Sequence, residues 1–282
     1  MATFTNRATL TYRGGTTVSN TVTGTVNETL TLEKTALIDS YDATSRLVYV
    51  LSLNNSGGVI QNLTLTDDLG GFEVAGVTRY PLTYVDSSLK YFVNGEVQTT
   101  PAVTGTEPLV ISGVSIPAGG SAVLVYEADV SEFAPLTEGS TIVNTVTVGG
   151  IIAETLTASE TVSVTNAPSL SITKSLTPVS VGSDGALTYT FVIENRGNTA
   201  AVATDDLTVR DTFDPILTLG TVLLNDTVLQ EGTGYTYNET SGEFATVPSV
   251  ITVPAATFEV NPDGSVTVIP GRTVLTVSGT IN

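Results

Sequence analysis

Residues 30–68 read LTLEKTALIDSYDATSRLVYVLSLNNSGGVIQNLTLTDD, and two features of this stretch decide the fold. Its Thr, Val and Leu residues alternate with a period of two, and the runs are broken by Asn, Asp and Gly, the residues of tight turns. Such runs recur along the whole chain about every ten residues, which is the pattern of a β-sandwich. The stretch also comes back a second time. LTLEKTAL (30–37) matches LSITKSLT (170–177), VYVLSLNNSGG (48–58) matches TYTFVIENRGN (188–198), and LTLTDD (63–68) matches LTVRDT (207–212). IPAGGSAVLVYEADV (116–130) then matches IPGRTVLTVSGTI (269–281) with one deletion. An internal repeat of this length means two copies of one supersecondary unit.

Beyond the last match the two copies differ. The first continues through TEGSTIVNTVTVGG (137–150) into ASETVSVTNAP (158–168), whereas the second stops at Asn282. A segment resembling the extra strand stands at the opposite end of the chain, where FTNRATLTYRGG (4–15) parallels IVNTVTVGG (142–150). Asn6 precedes Lys34 by 28 residues and Asn144 precedes Lys174 by 30, so the spacing agrees as well. The expected organisation is all-β: an N-terminal strand-donor arm (1–28), a first immunoglobulin-like sandwich (29–166), and a second (167–282) lacking its final strand. A sandwich without an edge strand exposes unpaired backbone that a neighbour's arm can complete. Repetition of that contact is heterologous and open-ended, which makes a filament. The competing expectation is that residues 1–28 fold back on their own chain, leaving a monomeric adhesin or spacer.

Alternation also places polar groups. Lys34 shares parity with Leu30 and Leu32, and Lys174 with Leu170 and Ile172, so both lysines point into the core, an unusual place for lysine. Asp67 and Asp211 have the same parity as Leu63 and Leu65, and as Leu207 and Val209. Asn144 lies between Ile142 and Val146, and Asn6 between Phe4 and Ala8. With the arm counted, each repeat owns one lysine, one acid and one asparagine. Burial favours a neutral amine and a protonated acid. Such an amine can attack the asparagine carbonyl while the acid, Asp67 or Asp211, moves the proton, expelling ammonia and leaving an amide crosslink. Lys34 pairs in this reading with Asn144 of its own repeat, and Lys174 with Asn6 of the next subunit. A buried ion pair with asparagine as hydrogen-bond partner is the plainer alternative. Asn55 and Asn195 share the inward parity and compete as acceptors, unless they hold the turns before Gly57 and Gly197.

The lysine strand, the N-x-G-N loop and the T-D/R-D strand resemble the bacterial surface conserved-repeat family, domain of unknown function eleven, over nearly the whole chain. The lysine, acid and asparagine set is similar to that of the B-type domains of collagen adhesins, which implies intramolecular isopeptide bonds. Those domains usually carry Glu where this sequence has Asp67 and Asp211. The resemblance implies a structural protein of a cell or spore surface, not an enzyme.

Composition narrows the alternatives. The 282 residues suit two domains. A net charge of −18 repels phosphate backbones and anionic headgroups, so no nucleic-acid partner is expected. The absence of Cys and His removes disulfides, thiolate chemistry, the commonest general base and the commonest transition-metal ligand. No D-x-D-x-D-G loop points to calcium, and no cofactor is expected. No apolar run is long enough to span a bilayer, and residues 1–12 lack a basic start with an apolar core. Export with a removed signal and assembly around a spore within a mother cell both fit, so the expected partner is a second copy of the chain, outside the cell.

Overall fold

The computed structural model describes residues 2–26, 30–149, 155–182 and 185–281. Their regular structure is strand, apart from one short 3₁₀ turn at Ala203–Asp205. The chain divides into two compact units, one built from residues 1–134 and 141–163, the other from 135–140 and 164–282. The expected boundary between arm and first repeat at 28/29 lies outside the described residues.

The first unit holds two six-stranded sheets. One contains the lysine strand Leu30–Ala36, which pairs antiparallel with Arg46–Asn55, itself paired with Ser121–Val130. The other contains the aspartate strand Ile60–Asp67, flanked by Leu109–Ile116 on one edge and by the asparagine strand Thr141–Gly149 on the other. Thr141–Gly149 continues into a pairing with Leu156–Val164. The period-two pattern turns every second side chain into the space between the sheets, where Leu47, Tyr49, Leu51, Leu53, Leu63, Leu65, Ile111, Leu124, Tyr126, Val146 and Val148 are all buried.

The second unit repeats this plan incompletely. A five-stranded sheet runs Leu170–Thr177, Ala186–Asn195, Gly271–Ile281, Leu217–Leu224, Thr227–Val228, in the same order as the lysine sheet of the first unit. Besides the strand pair Thr257–Val260 and Val266–Ile269, the described residues of this unit hold a three-stranded sheet of Arg210–Thr212, Glu243–Thr246 and Tyr235–Tyr237. These three correspond to the aspartate strand and the two strands beyond it. Among the described residues nothing pairs with the other edge of Arg210–Thr212, where the first unit has its asparagine strand. The core of this unit brings Tyr189, Phe191, Leu275 and Val277 of the five-stranded sheet together with Phe213 and Phe244.

Residues 2–26 form a hairpin. Ala2–Asn6 pairs with Val22–Val26, and Thr9–Tyr12 with Gly15–Val18. Each pair is a two-stranded sheet by itself. The arm is therefore a ribbon of two strands rather than a single one, and it matches the hairpin made by the asparagine strand and Leu156–Val164.

The inward asparagines that end the long central strands are turn-holders. Asn195 donates from Nδ2 to the carbonyls of Thr199 and Pro254 at 2.7 and 3.0 Å and accepts at Oδ1 from the backbone of Ser169 and Gly197, both at 2.9 Å. Asn55 does the same with Gly58, Pro117 and Gly57. Asn195→Ala would strand four backbone groups at once, and thermal unfolding of the second unit should show a loss of about 3 kcal/mol.

Candidate functional site

Three strands from two sheets bring the polar groups of the first unit together. Lys34, opposite Leu51, projects from the lysine sheet, while Asp67, opposite Val146, ends its strand in the facing sheet. Lys34, Asp67 and Asn144 are all buried, at 4%, 1% and 0% exposure, as their parity requires. Lys34 Nζ lies 2.6 Å from Asp67 Oδ2 and 5.0 Å from the centre of the Tyr49 ring. The neighbouring Asp68 fastens the asparagine strand in place, its Oδ1 accepting from the backbone N–H groups of Gly70 and Thr145 at 2.9 and 2.8 Å.

A fourth group, with no signal of its own in the sequence, connects the acid to the amide. The hydroxyl of Tyr126, on Ser121–Val130, donates to Asp67 Oδ2 at 2.6 Å and accepts from Asn144 Nδ2 at 3.2 Å. Its ring stacks on Tyr49, with centres 5.5 Å apart. Tyr126 has core parity like any packing aromatic, so only the position of its hydroxyl distinguishes it. Asn144 Oδ1 is buried with no hydrogen-bond partner among the described residues. The Asn144 amide also acts on the nearby Tyr49 hydroxyl, which burial pushes well above its ordinary value.

Burial shifts the pair towards its neutral form. Burial pushes the Lys34 amine below its ordinary value, against the opposing pull of Asp67. Burial likewise pushes the Asp67 carboxyl up, against Lys34, Tyr126 and the Leu69 N–H. Both shifts run towards an uncharged amine beside a protonated acid, the state in which the amine is nucleophilic.

The second unit has the same lysine and acid in a different setting. Lys174 is opposite Phe191 as Lys34 is opposite Leu51, and Lys174 Nζ makes a close ion pair with Asp211 Oδ2. The ammonium sits over three rings, 4.3 Å from the centre of Tyr189, 5.5 Å from Phe191 and 5.6 Å from Phe213. Its side chain is nevertheless 40% exposed, and Leu170 and Ile172 on the same strand are exposed too. Parity aims these residues at the interior, but among the described residues the strands that would close that interior are missing from this unit. Val277 occupies the position of Tyr126, facing Tyr189 as Tyr126 faces Tyr49.

Asn6 is exposed on the hairpin, unlike the buried Asn144. Its cross-strand neighbour is Val22, and Phe4 covers Gly24, whose α-carbon could not carry a methyl group without striking the ring. Phe4, Leu10, Tyr12 and Val22 are each more than half exposed. An isolated two-stranded ribbon with this much bare apolar surface is marginal in water, and such surface marks a contact.

No protein-family model matches the chain, and no curated protein matches it. Among solved structures it is similar to the pilus backbone RrgB of Streptococcus pneumoniae, with 10% identity over 86% of this chain and 55% of that one, at a TM-score of 0.36. It is similar to BcpA, the major pilin subunit of Bacillus cereus, with 13% identity over 98% of this chain and 74% of that one, at a TM-score of 0.37. The collagen adhesin CNA of S. aureus matches with 12% identity over 52% of this chain and 55% of that one, at a TM-score of 0.31. The chain thus spans about half the length of the pneumococcal backbone and the collagen adhesin.

Proposed function

We propose that the chain is the structural subunit of a bacterial surface or spore fibre, joined head to tail by donation of the 2–26 hairpin to the second unit of the next copy. The joint is locked by an amide bond between Lys174 and Asn6, with Asp211 as the acid, and the subunit itself by a bond between Lys34 and Asn144, with Asp67. The carrying observation is the edge of Arg210–Thr212 left unpaired among the described residues, beside an open Lys174–Asp211 pair, at the place where the first unit seats its own asparagine hairpin. Superposing the two arrangements gives the register. Val146 pairs with Asp67, Thr147 with Thr66 and Val148 with Leu65 in the first unit, so Ala8 would pair with Asp211, Thr9 with Arg210 and Leu10 with Val209 of the neighbour.

The test is denaturing electrophoresis after boiling, with intact mass of each band, on protein assembled at high concentration. The fibre reading expects a ladder whose members lack one ammonia per subunit and one more per junction. A single band lighter by one ammonia would confine the covalent bond to the first unit. A single band at the full sequence mass, from protein that also stays monomeric in solution, would favour the spacer reading.

A further inference from the structure

We infer that Tyr126 is the proton relay of the Lys34–Asn144 reaction, and that its replacement by Val277 makes the second unit the slower of the two sites. The inference rests on the amide-bond reading above and concerns how that bond forms. An amide nitrogen leaves only after it gains a proton, so some acid must reach Asn144 Nδ2. Among the described residues, the hydrogen bond made by that atom is to Tyr126 Oη, and Tyr126 Oη in turn donates to Asp67 Oδ2. Asp67 makes its own contacts with Lys34, Tyr126 and the Leu69 N–H, not with the amide. The acid is therefore one hydroxyl away from the leaving group, and the hydroxyl is Tyr126.

The step balances with the groups present. Lys34 gives a proton to Asp67 and attacks Cγ of Asn144 as a neutral amine, forming the N–C bond. The Tyr126 proton then passes to Nδ2 as the Asp67 proton passes to Tyr126 Oη, so the phenol is restored within the step. The Cγ–Nδ2 bond breaks and ammonia leaves. The new amide nitrogen returns its surplus proton to Asp67, which ends protonated and uncharged. Burial holds the Tyr126 phenol far above its ordinary titration range, in keeping with a group that hands protons on without storing the phenolate.

The second unit retains the lysine and the acid but has an alkyl side chain where the relay would stand. Asp211 there must deliver the proton directly or through solvent, which its exposure permits. The internal bond then forms on folding, and the junction bond forms later, once a hairpin is seated. A subunit would mature before it is welded to its neighbour.

The experiment follows ammonia loss by intact mass in freshly folded full-length protein, comparing wild type with Tyr126→Phe and Tyr84→Phe, native strand content being checked by circular dichroism. Tyr84→Phe removes a phenol hydroxyl from the ring packed on Tyr126, where it accepts from the Leu89 N–H outside the relay. Wild type and Tyr84→Phe should be isolated already lighter by one ammonia, while Tyr126→Phe should emerge largely at full mass and lose ammonia at least ~100-fold more slowly, the usual scale of general-acid assistance. Equal rates in wild type and Tyr126→Phe, or equal retardation in both variants, would overturn the relay. Wild type remaining at full mass would instead overturn the amide bond itself. The converse variant Val277→Tyr should speed the junction bond in assembled protein; an unchanged rate in polymers of wild-type length would also count against the relay.

Discussion

Deletion of residues 1–15 is expected to leave the protein monomeric at concentrations where the full chain forms long polymers. The reason lies in what the hairpin carries. Phe4, Leu10 and Tyr12, all within the deleted segment, are more than half exposed in the free chain, and burying what each still exposes is worth about 1–2 kcal/mol, a gross gain on the order of 3–6 kcal/mol before backbone pairing along Arg210–Thr212 is counted. Association of two large bodies costs a comparable amount, so losing this surface abolishes assembly rather than weakening it. Size-exclusion chromatography with light scattering reads the result directly. Asn6→Ala separates the covalent from the noncovalent contribution, since it keeps the apolar face. Its polymers should form and then fall to monomers on boiling in detergent. Polymers that persist after the deletion would mean that some other segment, from a longer chain or another partner, fills the open edge.

The absence of cysteine in the natural sequence offers a check on register. A Thr9→Cys, Arg210→Cys double variant should oxidise to a disulfide-linked ladder. A pair displaced by one residue, such as Thr9→Cys with Asp211→Cys, would place its side chains on opposite faces of the sheet and should not.

How much of this was legible in the sequence depends on which residues had their neighbours nearby in the pattern. The period-two parity of Lys34, Asp67 and Asn144 reported their burial correctly, because every strand around them comes from the same repeat and obeys the same alternation. The parity of Lys174 reported only a direction. What covers a side chain depends on the facing sheet, and in the second unit the described residues supply no strand to cover it, so a residue aimed inward stands open. The arm's likeness to the asparagine strand was visible in FTNRATLTYRGG, but its form as a two-stranded hairpin required the partner Val22–Val26, whose Gly24 makes room for the ring of Phe4. Tyr126 escaped because a tyrosine ring with core parity satisfies every apolar criterion. Only the three-dimensional meeting of its hydroxyl with Asp67 and Asn144 gives it a second role.

Lys34→Met is expected to cause the largest loss of thermal stability of any single substitution in the first unit, and a companion variant tells why. If the lysine merely forms an ion pair, its removal strands Asp67 in the core and costs about 3–5 kcal/mol. For a domain of this size that lowers the melting temperature by about 6–20 °C. If Lys34 is bonded to Asn144, the substitution also opens a covalent loop of 110 residues, whose closure is worth about 5 kcal/mol more by loop entropy. The loss then reaches about 16–40 °C. The double variant Lys34→Met, Asp67→Asn distinguishes the two. The amide introduced in place of the carboxylate has no charge to strand; its Oδ1 can still accept from the Leu69 N–H, and its Nδ2 takes the place of the oxygen that faced Tyr126, whose hydroxyl can accept from it. With an ion pair alone, the double variant should therefore return close to wild-type stability, since replacing both members of a buried pair by neutral groups is often without cost. With the amide bond, relieving the stranded charge cannot restore the lost tie between the two sheets, and the double variant should remain about 5 kcal/mol below wild type. Differential scanning calorimetry of the three proteins, each with its intact mass determined, separates the cases. Full recovery in the double variant would remove the covalent tie from the first unit.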